Sequence, residues 1–246
     1  WRRGCVTLPD RCYSVVRFLL GSSWAINIME NIRKVTDMTV QRIAIVSVHA
    51  CPLDSPGSNS AGGMSVYLRN MIPMLAEAGV CVDLFTRSHQ TGHQEVENLG
   101  PRGRIIHIDA GPLSPDWDGM ADFLDRFLNR VTSFIDGDGS GYDLIHSHYW
   151  LSGFVGRALS RHLGVPHAVT FHTLALLKES SGGKLERQER KSAEIDMINS
   201  ADQIFALTSH EADFLSDVYE VEGTRIHIVP GGVDSSVFQQ RDRLLA

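Results

Sequence analysis

Several things are scarce in this chain, and each scarcity closes a class of function. Four cysteines (Cys5, Cys12, Cys51, Cys81) are scattered over 246 residues. That is too few for a disulfide framework, and they read as isolated thiols in a reducing compartment. No CxxC pair and no Cys/His zinc spacing occurs, so the sequence predicts no metal site. No run of ~18 apolar residues is present, which excludes a membrane-spanning helix and leaves a cytoplasmic location as the expectation. Positive charge is short as well: 23 Lys and Arg stand against 29 Asp and Glu, a net charge of −6. That balance argues against a nucleic-acid partner. Arg2-Arg3 and the apolar patch Val15–Leu20 imitate a secretory leader, but Arg17 interrupts the patch and no convincing small-residue cleavage site follows. A dinucleotide fingerprint is also missing, because Gly57, Gly62 and Gly63 do not form GxGxxG and Asp83 is the only acid near the second strand's end.

What is present is organised around RIAIVSVHACPLDSPGSNSAGGMSVYLRNMIPMLAEAG, Arg42 to Gly79. Ile43 to Val48 is a near-continuous apolar run, as in a strand buried on both faces. A loop of Pro, Gly, Ser and Asn leads to Gly62-Gly63. Met64, Tyr67, Leu68, Met71, Ile72 and Leu75 then recur at helical spacing. Strand, glycine loop and helix together place unpaired helix N–H groups where an anion can sit.

The same alternation continues downstream. Strands are predicted at Arg42–Val48, Val80–Thr86, Arg104–Ile108, Asp143–Ser147, His167–Phe171, Gln203–Leu207 and Arg225–Val229. Helices are predicted at Gly63–Ala78, Gly119–Ile135, Trp150–Leu163, Lys184–Asn199 and His210–Tyr219. Right-handed βαβ units follow, so the fold class is α/β, a Rossmann-like doubly wound parallel sheet. Gly79 and Gly164 stop helices, Ser209 caps one, and Pro73 should bend the first. His49–Ala61 and Ser88–Gly103 read as long loops, the second as a mobile connection. Lys178–Glu194 reads as a charged, solvated run.

Two further clusters lie where open sheets bind ligands, at strand carboxyl ends, and a third lies on a helix. His146–Trp150 (HSHYW) ends the fourth strand, with His148 and Tyr149 as candidates. Thr170–Thr173 (TFHT) ends the fifth, placing His172 and Thr173 at a crevice. Arg190 and Glu194 stand at i and i+4, either an ordinary surface ion pair or a guanidinium oriented toward an acceptor anion. No convincing Ser/His/Asp or Cys/His nucleophile arrangement accompanies them.

With DLIHSHYWLSGFVG, TFHTL, RKSAEIDMINSADQIFALTSHE and IHIVPGGVD…F, these motifs resemble, over Gln41 to Phe238, the N-terminal domain of retaining GT-B glycosyltransferases. That is the family of the sucrose-phosphate synthases and of the glycosyltransferase opening mycothiol synthesis. The resemblance implies a two-domain enzyme that moves a hexose from a nucleoside-diphosphate sugar to a small-molecule or glycan hydroxyl, without cofactor or metal. It implies that Gly62 and Gly63 meet the donor phosphate and that His172 stands beside the transferred sugar. Tyr149, Thr173 and Arg190 then match acceptor-binding positions, with Ser65 where relatives carry Asn and with Glu194 and His148 in support. Counting from Ala110-Gly111-Pro112 puts Asp118 where mycothiol-pathway relatives carry lysine, which argues against an inositol-phosphate acceptor. The implied organisation is an extension over 1–37, the acceptor domain over 38–238, and the start of a linker over 239–246 with no donor domain following. The chain begins with Trp1, and Met38 is the expected natural start. The alternative is a stand-alone, non-catalytic sugar- or nucleotide-binding module.

Overall fold

The computed structural model describes residues 40–54, 62–113 and 121–232. The extension over 1–37, Asp118 and the linker after 238 lie outside those residues. Within them, eight strands form one sheet: β1 (Arg42–Val46), β2 (Cys81–Arg87), β3 (Val96–Asn98), β4 (Gly103–Ile108), β5 (Leu144–His148), β6 (His167–Thr170), β7 (Gln203–Ala206) and β8 (Ile226–Ile228). Their order is β3-β4-β2-β1-β5-β6-β7-β8. Every pairing is parallel except β3 against β4. The helices are α1 (Gly63–Glu77), α2 (Leu124–Asp138), α3 (Trp150–Leu163), α4 (Ala175–Ser180), α5 (Gln188–Ser200) and α6 (Ser209–Asp217).

Strand pleating sorts the apolar side chains into two layers. Ile43, Ile45, Val82, Leu84 and Ile105 pack with Leu68, Met71, Ile72 and Leu75 of α1 on one face. Ala44, Val46, Phe85, Ile106 and Ile108 pack with Phe127 and Val131 of α2 and Val155 and Leu159 of α3 on the other. A third cluster joins Val169 and Ile204 to Met197 and Ile198 of α5 and Leu215 of α6. Helix α3 lies close to the sheet because Gly156 carries no side chain. A Cβ there would stand 1.8 Å from Ser147 Oγ and 2.7 Å from His167 Nε2.

A buried carboxylate ties β2 to its neighbours. Asp83, nearly inaccessible, accepts Arg104 Nε at 2.7 Å and Nη2 at 2.8 Å, Arg42 Nη2 at 2.9 Å and the Tyr142 hydroxyl at 2.8 Å. Burial works to raise its pKa, but the two guanidinium groups and the phenol outweigh it and hold the carboxyl below its ordinary value. Asp83 is the third residue of β2 and thus stands away from the carboxyl end where a ribose-binding acid would be needed.

Several expectations are corrected. The Ser88–Gly103 connection contains β3, whose Val96 faces Ile106 and Asn98 faces Arg104 in antiparallel register; three residues with one hydrophobic side chain carry too little period-2 signal to reveal a strand. Helix α4 was not predicted, being six residues that only run into the charged stretch, and α5 starts at Gln188 rather than Lys184. Thr208, not Ser209, caps α6: its Oγ1 accepts from Glu211 N at 3.0 Å, and the Glu211 carboxylate reaches back to Leu207 N at 2.8 Å. Helix α1 continues through Pro73, as expected. Gly164 does close α3, in the left-handed conformation at φ 68°. Cys51 is a buried free thiol, whereas Cys81 is disulfide-bonded and not isolated, a pairing that spacing along the chain does not reveal. No described helix is long and apolar enough to cross a membrane.

Removing the Asp83 carboxylate would strand two guanidinium groups beside a desolvated site. Asp83→Ala should lower the unfolding free energy by about 3 kcal/mol or more. Asp109→Ala, which deletes an exposed pair with Arg126, should cost less than about 1 kcal/mol. Equilibrium urea unfolding compares the two, and equal costs would refute the structural role given to Asp83.

Candidate functional site

The strand order reverses between β1 and β5. At such a switch point the chains leaving the two strands diverge and a crevice opens at their carboxyl ends. Beyond β1, Ser47 Oγ donates to Ala50 O at 2.7 Å and Val48 N donates to Ser152 Oγ of α3 at 3.0 Å, which fixes the turn carrying His49. Beyond β5 comes Tyr149, whose ring meets the edge of His49 with centroids 4.9 Å apart. Tyr149 has φ 74° and ψ 160°, a region that glycine alone occupies without strain. Its N–H donates to Thr170 O at 2.9 Å, across to the end of β6.

The end of β6 repeats the strain at His172, with φ 62°. That turn brings His172 Nε2 to 2.9 Å from His148 Nδ1, so one imidazole donates to the other. His148 is fully buried, and its Nε2 has no partner among the described residues. His146 lies 4.2 Å from it between ring centroids, and Thr170 Oγ1 is 2.9 Å from His146 Nε2. From α1, the Tyr67 ring packs edge-on against His172 at 5.2 Å and lies 5.8 Å from His148. Burial pushes His172 down to about 4, and His49 and His146 down to about 3 with His172's charge adding to the effect. Burial, with His146 and His172 beside it, pulls His148 well below its ordinary value. At neutral pH these imidazoles are uncharged, the state in which two of them can share one hydrogen bond.

The Arg190–Glu194 pair is not a surface ornament. Glu194 is fully buried; one oxygen accepts Arg190 Nε at 2.8 Å, and the other accepts Ala175 N at 2.7 Å and the Tyr219 hydroxyl at 3.4 Å. Burial pushes its carboxyl up, against the pull of the Ala175 amide and the guanidinium. Arg190 spends its remaining donors on Glu186 at 3.0 Å and on the carbonyl and hydroxyl of Thr173 at 2.9 and 3.1 Å. Its guanidinium carbon lies 5.0 Å from the Tyr149 ring centroid. Burial pulls the Arg190 pKa down, yet Glu194 outweighs it and the net shift is upward. One contiguous group therefore contains His148, Tyr149, His172, Thr173, Arg190 and Glu194.

The remaining candidates divide. Gly62 and Gly63 are exposed at the start of α1, where no side chain caps the first turn. Neither has a positive φ, and among the described residues a Cβ on either would meet nothing within 4 Å. Backbone torsion and internal packing thus leave these glycines unexplained, and room for an approaching group remains. Ser65 has no accessible surface, and its hydroxyl has no partner among the described residues; it is too deep to line an open crevice. The sequence reading missed His49, His146, Tyr67 and Glu186. His49 was detectable by its place after β1, whereas Tyr67 looked like one more apolar residue of the helix stripe.

Sheet order and crevice define the class: this is the Rossmann-like N-terminal half of a GT-B glycosyltransferase. A profile of glycosyltransferase family 4 matches residues 61–237, and the chain belongs to that family. It is 37% identical over 207 residues to a D-inositol 3-phosphate glycosyltransferase of Nocardiopsis dassonvillei, covering 82% of this chain and 48% of that protein. It is 38% identical over 201 residues to the protein of the same name from Corynebacterium jeikeium, covering 80% and 48%. The solved sucrose-phosphate synthase of Thermosynechococcus elongatus superposes with a TM-score of 0.74 at 30% identity, over 80% of this chain and 50% of that one. The chain therefore spans about half the length of the relatives it matches.

Imidazoles held neutral by burial make the fold acid-sensitive. Their folded pKa values lie below the unfolded value of 6.5, so the unfolded state binds more protons between pH 6.5 and pH 4. Their contribution is complete above pH 6.5 and is lost as pH falls toward 4, at up to ~1.4 kcal/mol per pH unit per imidazole. Urea unfolding at pH 7, 6 and 5 should show falling stability, with a shallower slope in His172→Gln. An identical slope in that variant would remove His172 from the set.

Proposed function

We propose that this chain is the acceptor-side half of an enzyme that transfers a hexose from a nucleoside-diphosphate sugar to a hydroxyl acceptor with retention at the anomeric carbon. The observation that carries the reading is the strained, uncharged His148–His172 pair at the switch-point crevice, beside the helix that begins at Gly63. A neutral imidazole cannot serve as a cationic anchor for phosphate at neutral pH. It can bind a sugar hydroxyl through the nitrogen not engaged with His148, and it can polarise that oxygen as charge develops at the anomeric carbon. His172 is the catalytic residue in this proposal, and His148 positions its ring.

Gly62 and Gly63 receive the donor phosphate against the first-turn amides of α1, where the helix dipole favours negative charge. In such a mechanism the acceptor attacks from the leaving-group side, assisted by the departing phosphate, so no protein nucleophile, metal or cofactor is called upon. The acceptor subsite comprises Tyr149, Thr173 and Arg190. Glu194 is the buried counterion that holds Arg190 in place, and an anionic acceptor group would reach the guanidinium by displacing Glu186. Because Glu186 and Glu194 already balance the arginine, and Asp118 stands where mycothiol-pathway relatives carry lysine, an uncharged hydroxyl acceptor fits better than a phosphorylated one. Ser65 is left out of this set because of its burial. The enzyme works in the cytoplasm, and the nucleotide-sugar grip comes mainly from a C-terminal domain.

The test is transfer from UDP-, GDP- and ADP-hexoses, measured with this chain alone and with the chain continued into a GT-B donor domain. Product is expected only from the two-domain form. His172→Ala should then lower kcat/KM at least tenfold while the melting temperature stays near that of the parent. Product from the chain alone, or full activity in a folded His172→Ala variant, would sink the assignment. Saturable sugar or nucleotide binding with no transfer by the two-domain form would instead establish a binding module.

A further inference from the structure

A second cluster lies outside the hexosyl-transfer site. Cys51 and Asp54 come from the segment after β1, His89 and His93 from the chain after β2, Glu97 from β3 and His107 from β4. The donor atoms of Cys51, Asp54 and His89 all lie within 4.8 Å of one another, and so do those of His93, Glu97 and His107. The two triads touch, with Cys51 Sγ 3.5 Å from His107 Nε2. The imidazoles crowd together: ring centroids are 4.1 Å apart for His93 and His107 and 4.7 Å apart for His89 and His93. Cys51, Asp54 and His107 are nearly inaccessible to solvent, at 1, 4 and 4% exposure. Internal hydrogen bonding does not consume all these polar atoms. Among the described residues Asp54 Oδ2 and His93 Nδ1 are buried with no partner, an arrangement that costs free energy unless something else binds there.

We propose that this cluster is a zinc site, with Cys51 Sγ, Asp54 and His89 as its ligand triad and His107 Nε2, 3.5 Å from Cys51 Sγ, as the fourth ligand. His93 and Glu97 flank it. Three features support the assignment. First, zinc–sulfur and zinc–nitrogen bonds of about 2.3 and 2.1 Å at a tetrahedral angle place S and N about 3.6 Å apart, close to the distance found between Cys51 and His107. Second, His107 Nδ1 faces Gln94 O at 3.0 Å. Donation to that carbonyl fixes the tautomer and leaves the Nε2 lone pair directed at the shared position, as in second-shell support of metal-bound histidines. Third, a thiolate and one carboxylate neutralise a divalent ion, so the occupied site buries no net charge.

Zinc binding replaces the Cys51 thiol proton with an S–Zn bond, and the proton passes to solvent. Sulfur and imidazole ligands favour zinc over magnesium or calcium, which take oxygen shells. The consequence is positional. The ion would join the segment after β1 to β4 and to the chain after β2, and Arg69 of α1 already grips that segment through the carbonyls of Pro52 and Asp54. The chain leading to Gly62 would then start from a fixed point.

Metal content and cobalt spectroscopy test this without reference to any enzymatic activity. Protein stripped with chelator and titrated with cobalt(II) should bind one equivalent. It should develop both the visible bands of a tetrahedral ion and a near-ultraviolet thiolate-to-cobalt band, and zinc should abolish both. Zinc affinity, measured by competition with a chromophoric chelator, should fall at least tenfold in Cys51→Ser and in His107→Gln. It should not change in His162→Gln, which alters an exposed histidine paired with Asp136. A stripped protein that binds no cobalt, a cobalt spectrum lacking the thiolate band, or a Cys51→Ser variant with unaltered affinity overturns the proposal. Should either variant fail to fold, the parent's cobalt spectrum decides alone.

Discussion

A carboxylate with no accessible surface, Glu194, holds together the segments that follow β6 and β7. It is reached by a backbone amide at the start of α4, by a guanidinium one turn earlier in α5 and by a phenol beyond α6. Burying such a charge is costly, and it persists because each of its oxygens finds donors. The guanidinium it holds then spends its other donors on Thr173, and that residue follows the left-handed turn at His172. Position at the crevice is thereby inherited from an ion pair that sits beneath it.

The two strained residues make sense in that light. A tyrosine in a glycine region and a histidine with positive φ are each expensive, of order 1–3 kcal/mol. Tyr149 follows β5 at the point where the sheet order reverses, and His172 stands two residues beyond the neighbouring strand β6. Neighbouring strands fix where the backbone must exit, while Thr170, Arg190 and Tyr67 fix where the rings lie. The strain is therefore held from both sides, and the imidazole pair is fixed by its surroundings.

Much of this was legible in the sequence. Apolar runs of four to seven residues separated by amphipathic helices dictated a parallel sheet, and the strand-end positions of His148, Tyr149, His172 and Thr173 foretold that they would lie in one group. What escaped had local reasons. Strand β3 is too short to show a period, and α4 has only six residues, the last three of them inside the charged run. Spacing alone left the Arg190–Glu194 pair open between a surface contact and an oriented guanidinium, because burial of both depends on α4 and Tyr219 covering them. The Cys51–His107 contact was invisible for a different reason. Its partners stand 56 residues apart on separate strands and loops, far outside any ligand spacing a motif records.

Strand β3, small as it is, settles how this sheet ends. An all-parallel sheet leaves a row of unpaired amides and carbonyls along its last strand, a template on which another chain can add. Here β4 is covered by three residues running the opposite way, two of them Glu97 and Asn98, followed by a turn through Gly100 in the left-handed region. A strand that short, charged and quickly turned away offers little register for a further copy to pair with. The segment that looked like idle connection thus serves as a guard against edge-to-edge self-association.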